Sequence, residues 1–290
     1  MLTGLDRAAR DGLRLPGRGR VAVLCNATTV SADWVPTIEQ LRALPGVEVM
    51  RILSPQHGFS AEKQDNMCES AGGVDPRSGV PIVSLYADVR QPNEGALSGI
   101  DALLIDVQDI GTRVYTFLTT AVYCLRAAAR RGLPTIVLDR PNPIGDRVEG
   151  PLLDPRWTSF VGACAVPLRH GLTAGEMCRF AALGGLLPAV AGSTAGAPPG
   201  GDPAGDGSPP ASRRTADDSI PGGLEAVEVV ALEGWRREQY YDATGLPWTM
   251  PSPNMPTLET AVVYPGMVAL EGTILSEGRG TTRPFELWGA

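Results

Sequence analysis

Residues 53–70, LSPQHGFSAEKQDNMCES, crowd proton-handling and hydrogen-bonding side chains onto the end of one apolar run. Gln56, His57, Glu62 and Asn66 stand close together there, with Gly58 and Phe59 between them. An imidazole titrates near neutrality, so His57 can act as a general acid or base, or it can fix its own loop by hydrogen bonds. Glu62 lies near the strand end and is a candidate proton donor; Glu69 reads as a solvated charge. DVQDIGTRVY adds Asp106, Gln108, Asp109, Arg113 and Tyr115, and LDRPNP adds Asp139, Arg140 and Asn142. Arg113, Arg140 and the Arg279 of EGRGTTRPFE are either members of structural ion pairs or clamps for an anionic substrate. Tyr86, Tyr115 and Trp248 are either core aromatics or platforms for a sugar ring. His170, in PLRHGLT, reads as the residue that orders the turn before a helix.

These clusters need a scaffold that brings them to one edge. Five short apolar runs supply it: VAVLC (21–25), VEVMRIL (47–53), PIVSLY (81–86), ALLIDV (102–107) and TIVLD (135–139). Near-continuous apolar strands indicate a sheet buried on both faces. WVPTIEQLRAL between the first two runs and VYTFLTTAVYCLRAAARRG between the last two have helical spacing, the second ending in basic residues and Gly132. The order is β-α-β, which predicts an α/β fold with a Rossmann-like, mostly parallel, doubly wound sheet. In such a sheet ligands bind outside the carboxyl ends of the strands, where all three clusters fall. TAGEMCRFAALGG predicts a helix with Thr173 as N-cap and Glu176 closing a capping box. Residues 188–223 are dominated by Gly, Pro, Ala, Ser and Asp and read as a disordered insert. LEAVEVV then predicts a strand, and the Pro-, Gly- and aromatic-rich tail predicts ordered loops.

The chain has 290 residues and a formal net charge of −7, which argues against a nucleic-acid-binding protein. The five cysteines are scattered and there are two histidines, poor material for a metal site, so no metal and no cofactor is expected. The thiols read as buried or free in a reducing compartment. The first residues, MLTGLDRAARDGLRLPGRGR, contain no apolar run of a secretory signal, and no stretch approaches a membrane span, so a cytoplasmic location is expected. No G-x-S-x-G elbow and no Walker A motif occurs, which leaves serine-hydrolase and ATPase chemistry with little support. Oligomeric state is not legible.

Taken in order, PQHGF, EKQDNM, DVQDIGTRVYTF, LDRPNP, EGPLL, SFVG, PLRHGLTAGE, GWRR, PWTMPSPNMPT, YPG and EGTILSEGRGTTRPFE resemble the NamZ/YbbC-like exo-β-N-acetylmuramidases. The resemblance covers about residues 20–185 and 224–290 and skips the Gly/Pro-rich insert. It implies a Rossmann-like domain (1–187), the insert (188–223) and the start of a smaller α+β C-terminal domain (224–290), shortened because the family normally continues further. It also implies an active site in the cleft between the domains. The implied substrate is a peptidoglycan fragment that loses a terminal N-acetylmuramic acid, whose lactyl carboxylate gives arginines a purpose. Family members with this activity read P-E-H-G, and that glutamate is taken as the catalytic acid; Gln56 stands in its place, as in a PQHGF-type subgroup. An amide cannot protonate a departing glycosidic oxygen.

Three outcomes are open. Glu62 or His57 takes over the acid role; the reaction is on a related amino sugar with help from its N-acetyl group; or the protein binds muropeptides without cleaving them. The resemblance thus implies Gln56, His57, Glu62 and Asp109 as catalytic residues, Asp109 either orienting Arg113 or acting as a base. Asn66, Tyr86, Arg113, Tyr115, Arg140, Asn142 and Arg279 are the implied substrate-binding residues.

Overall fold

A computed structural model describes residues 1–64, 69–87, 90–187 and 219–290. Asn66 and most of the Gly/Pro-rich insert, residues 188–218, lie outside the described residues, as does Cys68. All five expected strands form: β1 (Arg20–Leu24), β2 (Glu48–Ser54), β4 (Pro81–Ser84), β5 (Ala102–Ile105) and β6 (Thr135–Leu138). A two-residue strand, β3 (Gly73–Val74), runs antiparallel to β4 at the sheet edge, and β9 (Val227–Val230) closes the other edge parallel to β6. The sheet order is β3-β4-β2-β1-β5-β6-β9, and every pairing except that of β3 is parallel. The chain builds outward from β1 through β2 to β4, then returns to the far side of β1 and builds β5, β6 and β9. The junction between β1 and β5 is therefore the point where the winding reverses, the place where doubly wound sheets form a crevice.

The strand pattern explains why both faces are covered. Side chains alternate across a strand, so Val21, Val23, Ile52, Leu104 and Ile136 point to one layer while Ala22, Leu24, Leu53, Leu103, Ile105 and Val137 point to the other. The first layer packs under α1 (Gly4–Asp11) and α2 (Thr37–Arg42). The second packs under α4 (Thr116–Ala129) and α5 (Ala174–Phe180), with α3 (Glu94–Leu97) at its margin. α4 is buried along most of its length because the aligned apolar residues Phe117, Leu118, Ala121, Val122, Cys124 and Leu125 all join the core. α5 starts as its sequence predicts, with the Thr173–Glu176 capping box intact. α1 opens on a second such box, Thr3 with Asp6. It enters the sheet so closely that a Cβ at Gly4 would stand 2.2 Å from the backbone nitrogen of Asp139.

Two features of the C-terminal part depart from the expectation. β9 belongs to the main sheet, so a boundary at residue 224 would cut the sheet between its last two strands. The Pro-rich tail contains a helix, α6 (Leu258–Met267), rather than loops alone. Thr257 caps it by accepting from Thr260 N–H at 3.3 Å, and Pro265 lies within its last turn, where it cannot donate the helix hydrogen bond to the carbonyl four residues earlier. β7 (Glu149–Leu152) and β8 (Pro167–Arg169) form a separate antiparallel pair outside the sheet. The four described cysteines are buried free thiols. Among the described residues, no helix is long and apolar enough to cross a membrane.

A buried ion pair braces the junction. Asp106, directly after β5, is fully buried and takes both Nε and one terminal nitrogen of Arg140, which follows β6 and is 5% exposed. Thr37, at the start of α2, donates its hydroxyl to the same carboxylate at 2.6 Å. Asp106→Asn leaves the Arg140 guanidinium buried without its counter-charge. We expect a loss of about 3–5 kcal/mol in urea-induced unfolding. The double variant Asp106→Leu/Arg140→Met should lose less than the sum of the single changes. A single-variant loss no greater than the ~0.5 kcal/mol of a neutral surface change would contradict this role.

Candidate active site

Beyond Ser54 the chain leaves β2 into a tight turn. His57 and Gly58 both take left-handed conformations, with φ of 73° and 82°. Glycine accepts this freely; a histidine there is held against its preference. The restraint is visible. Lys63 N–H donates to His57 O at 3.1 Å, and His57 Nδ1 lies 2.6 Å from Lys63 O. A carbonyl oxygen only accepts, so the ring proton sits on Nδ1 and Nε2 keeps its lone pair. Burial moves the His57 pKa below the ordinary imidazole range, the Lys63 carbonyl opposes this, and the charge of Arg279 adds to the lowering. At neutral pH the ring is therefore an unprotonated base and no store of protons. Glu62 closes the same turn: both its carboxylate oxygens lie 2.9 Å from where a Cβ on residue 58 would stand. A side chain at 58 would displace the carboxylate. Glu62 itself is exposed to solvent.

Gln56 precedes this turn and is buried. Its Oε1 accepts the hydroxyl of Thr116 at 2.6 Å. Thr116 is the first residue of α4, so the amide is oriented by the helix that follows the Asp109–Tyr115 loop.

In that loop Asp109 turns away from Arg113. Asp109 Oδ2 accepts Gly111 N–H at 2.6 Å and lies 3.2 Å from His170 Nε2. Arg113 instead donates to the carbonyls of Pro151 and Val166, at 2.9 and 2.8 Å, and so ties the loop to the β7–β8 pair. His170 does order the turn before α5, since its Nδ1 accepts Leu172 N–H at 3.1 Å. Among the described residues, Gln108 Oε1, Asp109 Oδ1 and Asn254 Oδ1 are buried acceptors without a hydrogen-bond partner.

The remaining expected residues divide. Arg140 is committed to Asp106, and Asn142 is a loop brace that donates to Leu172 O at 3.0 Å and accepts Ile144 N–H at 3.1 Å. Tyr86 is buried under the guanidinium of Arg90, 3.8 Å from its ring centroid. Tyr115 is also buried, tilted against Phe117 at 4.7 Å and edge-on to Tyr264 at 6.4 Å. Tyr264 packs in turn on Phe285 at 4.6 Å, and Arg279 lies over Phe285 while pairing with Glu271 and Glu277. The aromatic series thus carries the C-terminal segment onto the Asp109–Tyr115 loop and brings the charge of Arg279 to His57.

The segment 251–255, PSPNM, completes the site from far away in sequence. Asn26, after β1, donates to Pro251 O at 3.1 Å, and Asn254 donates to Gln64 O at 2.9 Å. Asn26, Thr116 and Asn254 were not among the expected site residues. The strand-end position of Asn26 and the polar SPN triplet between prolines were the available signals. A groove of about 300 Å³ lies elsewhere, between the β7–β8 pair and α6, and none of the expected site residues lines it.

Two family models match most of the chain. The model described as "Exo-beta-N-acetylmuramidase NamZ, N-terminal" matches residues 21–259, and its C-terminal counterpart matches residues 262–290. The chain belongs to the NamZ family. It is 36% identical over 289 residues to the peptidoglycan beta-N-acetylmuramidase NamZ of Bacillus subtilis strain 168, a match covering 99% of this chain and 61% of that protein. The chain therefore spans about three fifths of its curated relative's length. Two DUF1343 family crystal structures from Bacteroides fragilis share the fold. One has a TM-score of 0.78 at 29% identity, covering 99% of this chain and 64% of the other. The second has a TM-score of 0.73 at 28% identity, covering 100% and 67%. The NamZ models divide the chain near residue 260, after β9 and at the start of α6, which keeps the sheet whole.

The lowered His57 pKa has a measurable consequence. Below about pH 6.5 the unfolded chain protonates this ring before the folded chain does. The unfolded state then binds more protons, so stability is complete above that pH and falls as the pH drops toward the folded pKa. His57→Asn tolerates positive φ and removes the titration. The melting-temperature advantage of the wild type over His57→Asn should shrink between about pH 7 and about pH 5. Parallel curves would contradict a buried, neutral His57.

Proposed function

We propose that this NamZ-family protein is a glycosidase that releases terminal N-acetylmuramic acid, or a related amino sugar, from peptidoglycan fragments, acting in the cytoplasm during cell-wall recycling. The observation that carries the reading is the turn after β2, where a neutral His57 with its Nε2 lone pair shares one tight loop with the Glu62 carboxylate. The name of the Bacillus subtilis relative supports the substrate class.

Hydrolysis requires one group to protonate the leaving oxygen and another to take a proton from water. Glu62 in its carboxylic acid form is the donor in this reading, because the ring proton of His57 is engaged by Lys63 O; it ends the step as a carboxylate and regains a proton from solvent. His57 Nε2 takes the proton from the attacking water. The bond from the anomeric carbon to the glycosidic oxygen breaks, the departing oxygen leaves with the Glu62 proton, and the water oxygen bonds to that carbon. Gln56, held by Thr116, orients the sugar or the water through its amide, together with Asn66 further along the same segment. Arg140, spent on Asp106, and Arg279, paired with Glu271 and Glu277, brace the site; Arg113 remains the arginine proposed to attract the lactyl carboxylate.

One observation favours a second reading, a muropeptide-binding protein without turnover: Gln56 has no acidic proton where active relatives are expected to carry glutamate. Release of chromophore from a β-N-acetylmuramic acid glycoside separates the two. Under the hydrolase reading the wild type turns over, and Glu62→Gln and His57→Asn each slow it by about 10²–10⁴-fold. If the wild type is silent and Gln56→Glu cleaves, the binding reading stands. If both single variants retain full turnover, the assigned roles are wrong even though the protein is an enzyme.

A further inference from the structure

The segments that leave β2 and β4 run side by side at the carboxyl edge, since Leu85 N–H donates to Ser54 O at 2.8 Å. Pro55 and the buried Gln56 follow Ser54; Tyr86 follows Leu85. The Tyr86 backbone is fixed from two sides: its N–H donates to Ser84 Oγ at 3.1 Å, and its carbonyl accepts Ser70 N–H at 3.0 Å. Arg90 lies over this tyrosine. Its guanidinium carbon is 3.8 Å from the Tyr86 ring centroid and 5.9 Å from that of Phe160, which reaches in from the segment between β7 and β8. Phe160 packs in turn on Tyr123 of α4 at 6.0 Å.

Arg90 is 6% exposed, yet among the described residues no carboxylate pairs with it. There its guanidinium makes one hydrogen bond, from Nη1 to Ala87 O at 2.7 Å. A guanidinium has five N–H donors, and a buried charge persists only where partners offset its desolvation. The two rings offset part of it and leave most of the donors without an oxygen. Among the described residues, the wholly buried polar atoms without a partner include none from Arg90, so its unmatched nitrogens are the part that reaches solvent. A cation that only stapled two rings could keep its charge in water. This one is held flat on aromatic faces with donors to spare for a planar, two-oxygen acceptor. The other arginines of the site are more committed: Arg140 and Arg279 pair with carboxylates, and Arg113 donates to two carbonyls.

We propose that Arg90 is a specificity-determining residue of the candidate site, donating paired hydrogen bonds to a ligand carboxylate, and that this carboxylate is the lactyl group of muramic acid. The identity of the ligand rests on the muramic-acid reading above; the proposal does not require turnover. Tyr86 and Phe160 act through Arg90, as the rings that hold the guanidinium in place.

Calorimetric titration of this chain with N-acetylmuramic acid, its uncharged lactyl amide and N-acetylglucosamine is the test. The wild type should bind the acid about 10–100-fold more tightly than either neutral sugar. Arg90→Met and Arg90→Gln, which keep an unbranched stem on the rings, should each abolish that preference and leave the affinity for the neutral sugars unchanged. Arg90→Lys should restore part of the preference, since it keeps the charge without the fork. A wild type that does not prefer the acid, or a neutral variant that still does, overturns the proposal. A folding defect lowers all three affinities together and does not imitate a lost preference. Turnover of the β-N-acetylmuramic acid glycoside is read alongside. A silent wild type whose acid preference vanishes in Arg90→Met upholds Arg90 and removes the hydrolase reading. An active wild type whose preference survives in Arg90→Met overturns Arg90 and leaves the hydrolase reading standing.

Discussion

The arrangement of the strand ends depends on one desolvated ion pair. Asp106 and Arg140 follow neighbouring strands and meet with almost no access to water. Two charges removed from solvent are tolerable only if each finds the other in good geometry with its remaining lone pairs filled. Thr37 meets part of that condition from the start of α2. Three elements are thereby fixed relative to one another at the point where the sheet reverses its winding. Next to it, Asp139 does similar work with hydrogen bonds: its carboxylate accepts from Thr173 Oγ1, Gly175 N–H and Arg140 N–H at 2.8, 2.8 and 3.0 Å, joining the end of β6 to the start of α5. Burial pushes the Asp139 pKa up to about 6, and the three donors work against that rise.

On this frame the candidate site is assembled from pieces far apart in the chain. The turn after β2 supplies Gln56, His57 and Glu62. The start of α4 orients Gln56, and segment 251–255 reaches across to the loops after β1 and β2. The left-handed backbone at His57 is the local cost of this construction. It persists because two hydrogen bonds with Lys63 close the loop, and the same contacts select the ring tautomer that leaves Nε2 basic. Shape and protonation state are thus set by one feature. Gln56 is held here by the Thr116 hydroxyl and is adjacent to a neutral imidazole.

The fold was largely legible, because its signals are local. Runs such as VAVLC and ALLIDV are too apolar for any surface strand, and Thr173 with Glu176 is a helix start that needs no tertiary partner. Two features were not legible for a shared reason. The resemblance set a boundary at residue 224, whereas β9 pairs with β6 in the main sheet. The tail that read as loop also contains α6, which forms with Pro265 inside its last turn. Strand pairing and helix termination depend on neighbours that local composition does not show.

The site divides along the same line. Sequence by itself determined which side chains gather at the carboxyl edge, because a parallel strand must deliver the residues that follow it to that edge: Gln56 and His57 after β2, Asp106 and Asp109 after β5, Arg140 and Asn142 after β6. It also determined family membership, through the order of motifs too numerous to coincide by chance. Only the tertiary structure decided what each group is free to do. Arg140 looked like a substrate clamp and is consumed by Asp106; Tyr86 looked like a sugar platform and lies under Arg90; His57 looked like an acid or a base and is held as a base. The physical reason is that a residue type carries its chemistry in the sequence, whereas its charge state and availability depend on burial and partners that exist only when distant segments meet.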